Sequence, residues 1–330
     1  MSQPTSPPVL RPTLEDILAA VRAADADGPL PDTQAESLSG LSGRKTVGLL
    51  QRLVRLFEYD PTACYVEIGV FQGLTLVTAG LAAPRLPCFG IDNFATLDPL
   101  GTNLGIVRER LTRLRVANAS LINEDFEAAL AALDAHLGGR RIAVYFIDGP
   151  HDYRSQLVCL LHARRLWHER AVIVIDDANY PDVRWSTRDF LLAAPDVRLA
   201  FEAYSPAHPA NMTEDERHRW EAGWLNGVQV LVRDPDHRLP DMLPPVDGDR
   251  TLYFNEWLVH RLRLAELAPE ALALADAICA ADVAAEIAAR EALLARHAQH
   301  SAIFSGRHTD RNLYSGGLTP GRFNRPAGTA

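Results

Sequence analysis

Asp148 closes the apolar run Val144-Tyr145-Phe146-Ile147, and Asp176 and Asp177 close the run Val172-Ile173-Val174-Ile175. Carboxylates at such positions can do chemistry, because the carboxyl ends of neighbouring parallel strands open into the crevice where ligands of open α/β sheets bind. Three acids converging there ask for a cation. Oxygen donors without thiols suit Mg²⁺, Ca²⁺ or Mn²⁺ better than a structural zinc. Any one of these acids alone reads as a polar strand end or a helix N-cap. The three together read as a metal site of Asp148, Asp176 and Asp177.

Two further groups stand where a ligand meets such a sheet. Glu67-Ile68-Gly69-Val70-Phe71-Gln72-Gly73 falls where a strand turns into a helix, and Gly69 and Gly73 allow a backbone to approach a ligand closely. The run lacks the middle glycine of a dinucleotide fingerprint and carries an acid, Glu67, two residues before Gly69. That suits a cofactor bearing an ammonium and a sulfonium in place of a diphosphate. Asp92, after Cys88-Phe89-Gly90-Ile91, stands where an acid accepts hydrogen bonds from ribose hydroxyls, with Asn93 and Phe94 flanking an adenosine. Glu124 and Asp125 stand where an adenine amino group is often met, although Asp125 reads more readily as the N-cap of a helix over 126–137.

The elements that must position these residues alternate regularly. The pattern predicts strands at 65–70, 87–92, 119–123, 142–148 and 171–176, with helices at 73–82, 104–116, 126–137, 153–167 and 183–193. Two strand-like runs follow, 197–204 and 227–233, and the last can run antiparallel to its neighbours. The expectation is an α/β fold: a Rossmann-like doubly wound sheet of seven strands, the last antiparallel, with N-terminal helices and a long C-terminal helix. Thr13 caps a first helix to Ala24, with Asp16 as a weak capping-box partner, and Val47–Phe57 forms a second. The connection 205–226, with Asn211, Trp220 and Trp224, reads equally as a lid or as a surface helix packed by its tryptophans. Glu270 to Gln299 is Ala-rich and reads as one long helix, able to dock or to join copies in a homo-oligomer. Residues 301–330, rich in Gly, Arg and Pro, read as a disordered tail.

At 330 residues and 47% apolar, the chain can bury a large core, and a net charge of −9 argues against a nucleic-acid partner. The four cysteines lack paired metal spacing and read as reduced core residues. No apolar stretch approaches membrane length and the N-terminus lacks a signal-like core, so the expectation is a cytoplasmic protein with no membrane partner.

Together the glycine turn, Asp92 and the strand-end acids resemble the class I S-adenosylmethionine-dependent methyltransferases over roughly residues 60–235. Phe146-Ile147-Asp148-Gly149-Pro150-His151-Asp152-Tyr153 is similar to the Phe-Ile-Asp-Gly-x-His-x-Tyr pattern of a bacterial family of small-molecule methyltransferases. The resemblance implies a cofactor-binding methyltransferase domain at 61–235, and the helical pattern on either side of it predicts a helical cap at 1–60 and a helical extension at 236–300. It implies S-adenosylmethionine held by Glu67, Gly69, Gly73, Asp92, Asn93, Asp125 and Asp148. Asp148, Asp176 and Asp177 are similar to the ligands of divalent-cation-dependent O-methyltransferases, which implies Mg²⁺ or a related ion and a small-molecule hydroxyl acceptor, on a sugar or a natural product. Asp177 matches the sugar type better than the catechol type, which usually has Asn there. Pro150 stands where the sugar type carries an acid proposed as base, so His151 becomes the candidate catalytic base beside Asp148. His151 reads equally as a cofactor contact or a helix cap. Three alternatives stay open: a methyltransferase without metal, a nicotinamide oxidoreductase, and a non-catalytic binding protein.

Overall fold

Short apolar runs separated by amphipathic stretches build one sheet covered on both faces. The structure, a computed structural model, describes residues 11–31, 38–207, 209–246, 267–309 and 321–326. It falls into two compact units, one of residues 1–205, 212–246 and 317–330, the other of 206–211 and 247–316.

In the first unit, helices α1 (Leu14–Asp27) and α2 (Arg44–Phe57) precede the alternation β1 (Ala63–Ile68), α3 (Leu74–Ala82), β2 (Cys88–Ile91), α4 (Asn103–Arg113), β3 (Ala119–Ile122), α5 (Phe126–Leu137) and β4 (Arg141–Ile147). It continues through α6 (Tyr153–Ala163), β5 (Trp167–Asp176), α7 (Pro181–Ala193), β6 (Val197–Ala203), α8 (Glu214–Glu221), β7 (Val228–Arg233) and β8 (Arg322–Phe323). The strand order is β3-β2-β1-β4-β5-β7-β6-β8. Strands β1 to β5 are parallel, and β7 pairs antiparallel with both β5 and β6. The chain leaves β1 toward β2 and β3 and returns to β4 on the other side, so the order reverses between β1 and β4. Ligands of such sheets bind at that point.

Among the described residues the sheet has eight strands, where seven were expected. The extra strand is two residues long and carries no periodic signal. It is held by its own contacts: Arg322 pairs with the buried Glu202 at 2.5 Å, and the Asn324 amide donates to the carbonyls of Leu199 and Pro240 at 2.8 Å. The antiparallel strand β7 is inserted between β5 and β6 and is not at an edge. The expected tail is also corrected in part, since residues 301–309 continue a helix and 321–326 run along the sheet. Residues 310–320 and 327–330 lie outside the described residues.

Side chains alternate between the two faces. Tyr65, Val144, Phe146, Val172 and Val174 pack against α1, α2 and α3, while Val66, Tyr145, Ile147, Ile173 and Ile175 pack against α5, α6 and α7. By this alternation, the positions of Glu67, Asp148 and Asp176 fall on the α2/α3 face. Thr13 caps α1, and both bonds of the capping box with Asp16 form, so the shorter acid serves where Glu is usual.

The connection before β7 forms the surface helix α8, which buries none of its residues. Trp224 is a strut instead: its ring packs on Phe201 at 5.2 Å and its Nε1 donates to Asp25. Of the cysteines, Cys64, Cys88 and Cys159 are buried thiols and Cys279 is exposed.

Among the described residues, the second unit contains two helices, Ala268–Cys279 and Val283–Thr309, where one long helix was expected. The break has a local cause. Ala281 adopts φ +53°, and the Asp282 carboxylate then accepts from the Ala285 N–H at 3.0 Å, starting a new helix.

Candidate active site

The β4–β5 register pairs Ile147 with Ile175, so Asp148 and Asp176 come next on adjacent strand ends. Asp177 follows with φ +57°, a left-handed backbone uncommon for a residue with a side chain. Without that turn, Asp177 would continue the strand's alternation away from Asp176. His151 comes from the loop after β4. Its Nε2 lies 2.6 Å from Asp177 Oδ2, and its ring stacks on Tyr180 with centroids 4.9 Å apart and planes 13° apart.

Candidate ligand atoms of Asp148, His151 and Asp177 all lie within 4.8 Å of one another. This set differs from the expected Asp148, Asp176 and Asp177, with an imidazole in the place given to Asp176. Asp176 is 4% exposed, and its Oδ1 is enclosed without a hydrogen-bond partner. Burial pushes the Asp176 carboxyl well above the usual carboxylate range, and the charges of Asp148 and Asp177 add to the effect. Asp148 is raised in the same way, by burial first and then by Asp177. Burial pulls His151 down, but Asp177 more than offsets it and the imidazole is raised.

Two residues that sequence reasoning did not single out complete this corner. The Ser42 hydroxyl donates to Asp148 Oδ2 at 3.2 Å, and the Asn226 amide donates to Asp177 Oδ1. Neither carries a motif; Ser42 lies 106 positions from Asp148 and Asn226 lies 49 from Asp177. The segment carrying Ser42 is anchored by Arg110, which donates to the Ser39 carbonyl at 2.8 Å and to the Gln72 carbonyl at 2.6 Å. That ties the approach to α2 to the glycine turn. Asn179 is buried, donating to the Ser205 carbonyl at 2.8 Å, and Arg184 donates to the carbonyls of Ala178 and Asn179 at 2.9 and 2.6 Å. These two fix the loop after β5.

The glycine turn lies one strand over. Gly69 has φ +87°, and a Cβ there would fall 1.8 Å from the Asp148 carbonyl oxygen. The glycine is thus required by the neighbouring strand end as well as by its own backbone. Asp92 Oδ2 accepts from the Val70 and Phe71 N–H groups, both at 2.9 Å, and Oδ1 accepts from the Phe94 N–H at 2.7 Å. A carboxylate has about four lone-pair sites, so some acceptor capacity is left for a ligand. Phe71 and Phe94 adopt φ +50° and +54°, so strained backbone brackets this crevice, as it does at many binding sites. Gly73, at φ +81°, starts α3 without a side-chain cap.

The remaining expected cofactor residues take other positions. Glu67 is 0% exposed, behind the turn; its Oε2 accepts from the Tyr65 hydroxyl at 2.5 Å, and burial pushes its carboxyl up to about 8. Asn93 is exposed, and its Oδ1 accepts from the Ala95 N–H at 3.0 Å. Asp125 is exposed and caps α5 through the Glu127 N–H at 3.0 Å. For Asp125 the N-cap is the arrangement present.

Residues 66–178 match the family model described as a methyltransferase domain. No curated protein matches the chain significantly. Among solved structures, the chain is similar to the O-methyltransferase TomG from Streptomyces achromogenes, involved in tomaymycin synthesis and in complex with SAM. The two are 18% identical, with 65% of this chain and 89% of that one covered and a TM-score of 0.45. An O-methyltransferase from Bacillus cereus in complex with SAH is 14% identical, with 68% and 94% covered and a TM-score of 0.42. CalS11, a TDP-rhamnose 3′-O-methyltransferase of calicheamicin biosynthesis, is 15% identical, with 68% and 96% covered and a TM-score of 0.42. Among the described residues, no helix is long and apolar enough to cross a membrane.

Proposed function

We propose that this protein transfers the methyl group of S-adenosylmethionine to a hydroxyl of a small molecule, assisted by a divalent cation at the strand-end acids. The observation that carries this reading is the extent of the methyltransferase-domain match. It begins inside β1 and ends just past Asp177, so it takes in both the glycine turn and the acids.

The cofactor fits the crevice on two grounds: α3 presents an N-terminus free of a side-chain cap, and Asp92 keeps acceptor capacity beside the turn it organises. Residues 69–73 and 92–94 would then bind and orient S-adenosylmethionine, with Glu67 buried behind them. A cation fits the acids because Asp176 Oδ1 is enclosed and unpartnered among carboxylates that raise one another's protonation. When bound, the cation would raise the acidity of a coordinated hydroxyl and fix its direction.

In the transfer, a bond forms between the acceptor oxygen and the methyl carbon as the carbon–sulfur bond breaks. Its electron pair stays on sulfur as a neutral thioether, and the hydroxyl proton leaves to base or water. The chain's main contribution is to hold the oxygen in line with the methyl group and keep water out. Such orientation is worth roughly 7–11 kcal/mol at best, against roughly 10²–10⁴-fold for a general base.

Calorimetric titration with S-adenosylmethionine tests the reading, followed by methyl transfer to a panel of sugar and natural-product hydroxyls with and without EDTA. Saturable binding and EDTA-sensitive transfer support it. Transfer that ignores EDTA favours a metal-independent enzyme, and absence of binding overturns the methyltransferase reading.

A further inference from the structure

The imidazole in the cluster changes which ion it fits. We propose that His151 is a ligand of the cation, completing an imidazole–dicarboxylate set with Asp148 and Asp177, and that the site therefore takes Mn²⁺ or a later first-row ion in preference to Mg²⁺. The inference deepens the proposed reading and depends on these acids holding an ion.

Four observations support it. First, a ring nitrogen of His151 and one carboxylate oxygen each of Asp148 and Asp177 are mutually within 4.8 Å, which suits three donors on one face of an ion. Second, each donor side chain is held from behind. Ser42 engages Asp148 Oδ2, Asn226 engages Asp177 Oδ1, and Tyr180 stacks on the His151 ring. Outer contacts of this kind orient ligands in metal centres. Third, the unpartnered, buried Oδ1 of Asp176 stands on the strand end next to Asp148, where it can join the ion or accept from its bound water. Fourth, His151 Nε2 already lies 2.6 Å from Asp177 Oδ2. A nitrogen so placed meets an ion shared with Asp177 more readily than an acceptor's proton.

The donor set then decides the ion. Mg²⁺ favours oxygen ligands in near-ideal octahedral geometry, whereas imidazole suits later first-row metals, and affinity at mixed N/O sites rises from Mn²⁺ to Co²⁺ and Ni²⁺.

The test is pulsed electron paramagnetic resonance of Mn²⁺ added to the untagged full chain, with calorimetric titrations of Mn²⁺ and Mg²⁺ alongside. The expected spectrum carries a coupling from one directly bound nitrogen. That coupling disappears in His151→Gln, and Mn²⁺ binds the parent at least about tenfold tighter than Mg²⁺, a gap that narrows in the variant. Mn²⁺ bound without nitrogen coupling, equal affinity for the two ions, or no binding of either overturns the inference. The parent spectrum decides the point even if the variant folds poorly. S-adenosylmethionine titrated into the same samples separates the two readings: cofactor binding without nitrogen coupling sinks only the ion assignment, and coupling without cofactor binding sinks only the methyltransferase.

Discussion

His151 Nε2 approaches Asp177 Oδ2 to 2.6 Å, joining the loop after β4 to the loop after β5. The contact exists because Asp177 leaves its strand with a left-handed backbone, at φ +57°, and because Asn226 takes its other oxygen. Two loops that are independent in sequence thereby form one corner, in which an acid and an imidazole share a side with Asp148.

Asn226→Gly should loosen that corner without straining it. Asn226 itself sits at φ +54°, which glycine tolerates, so the change removes the amide and keeps the backbone. If the ion sits where proposed, Mn²⁺ affinity falls roughly 10–100-fold, as for the loss of other outer-contact residues. S-adenosylmethionine affinity should stay within about twofold, since the amide lies on the loop before β7 and not on the glycine turn; this is an order-of-magnitude expectation for separated sites. Paired calorimetric titrations check both numbers.

Asp92→Ala should damage the cofactor crevice. Three backbone N–H groups, of Val70, Phe71 and Phe94, would lose their acceptor, and hydrogen bonds to a charged group contribute about 1.5–3 kcal/mol each. The expected outcome is loss of S-adenosylmethionine binding by at least about tenfold, with a lower thermal midpoint. Unchanged binding would remove Asp92 from the cofactor site.

Gly69→Ala should unfold or aggregate much of the protein. The new Cβ would meet the Asp148 carbonyl oxygen at 1.8 Å, at a backbone φ of +87° that side chains rarely adopt. A cost of about 3 kcal/mol or more is expected in urea unfolding, from backbone strain and steric overlap together. A shift below about 1 kcal/mol would mean that β1 and β4 separate easily at their ends, contrary to the register.

The pH dependence of stability should carry the mark of Glu67. Burial raises its carboxyl to about 8 from an ordinary 4.5. An acid whose folded value is raised contributes fully to stability below its unfolded value and loses that contribution as pH rises through the folded one. Stability should therefore fall between about pH 4.5 and about pH 8 as this group ionises in the unfolded chain and then in the folded one. Glu67→Gln, which keeps the shape and the acceptor for Tyr65, should flatten that decline. Urea midpoints at pH 5, 6.5 and 8 compare the two proteins, and parallel curves would rule Glu67 out as the cause.

Much of the architecture was legible in the chain because the apolar runs are short, continuous and bounded, and sheet strands buried on both faces leave such runs in any sequence. The helix over 126–137, the strand ends at Asp92, Asp148 and Asp176, and the glycine turn were all readable from local pattern alone. The eighth strand was not, because Arg322 and Phe323 join the sheet only through Glu202 and through the carbonyls that meet Asn324. The break at Ala281 was hidden because alanine gives no sign of a left-handed turn, and only the cap at Asp282 marks it.

At the candidate site, residue types and strand ends determined that three acids stand at the carboxyl ends of two neighbouring strands, β4 and β5. Which of them face one another was decided by tertiary structure. Alternation along a strand sends successive side chains to opposite faces, so Asp176 and Asp177 can serve one corner only after the backbone turns, and the turn brings His151 into the set. Ser42 and Asn226, distant in sequence, became visible only when folding carried their loops to the same crevice.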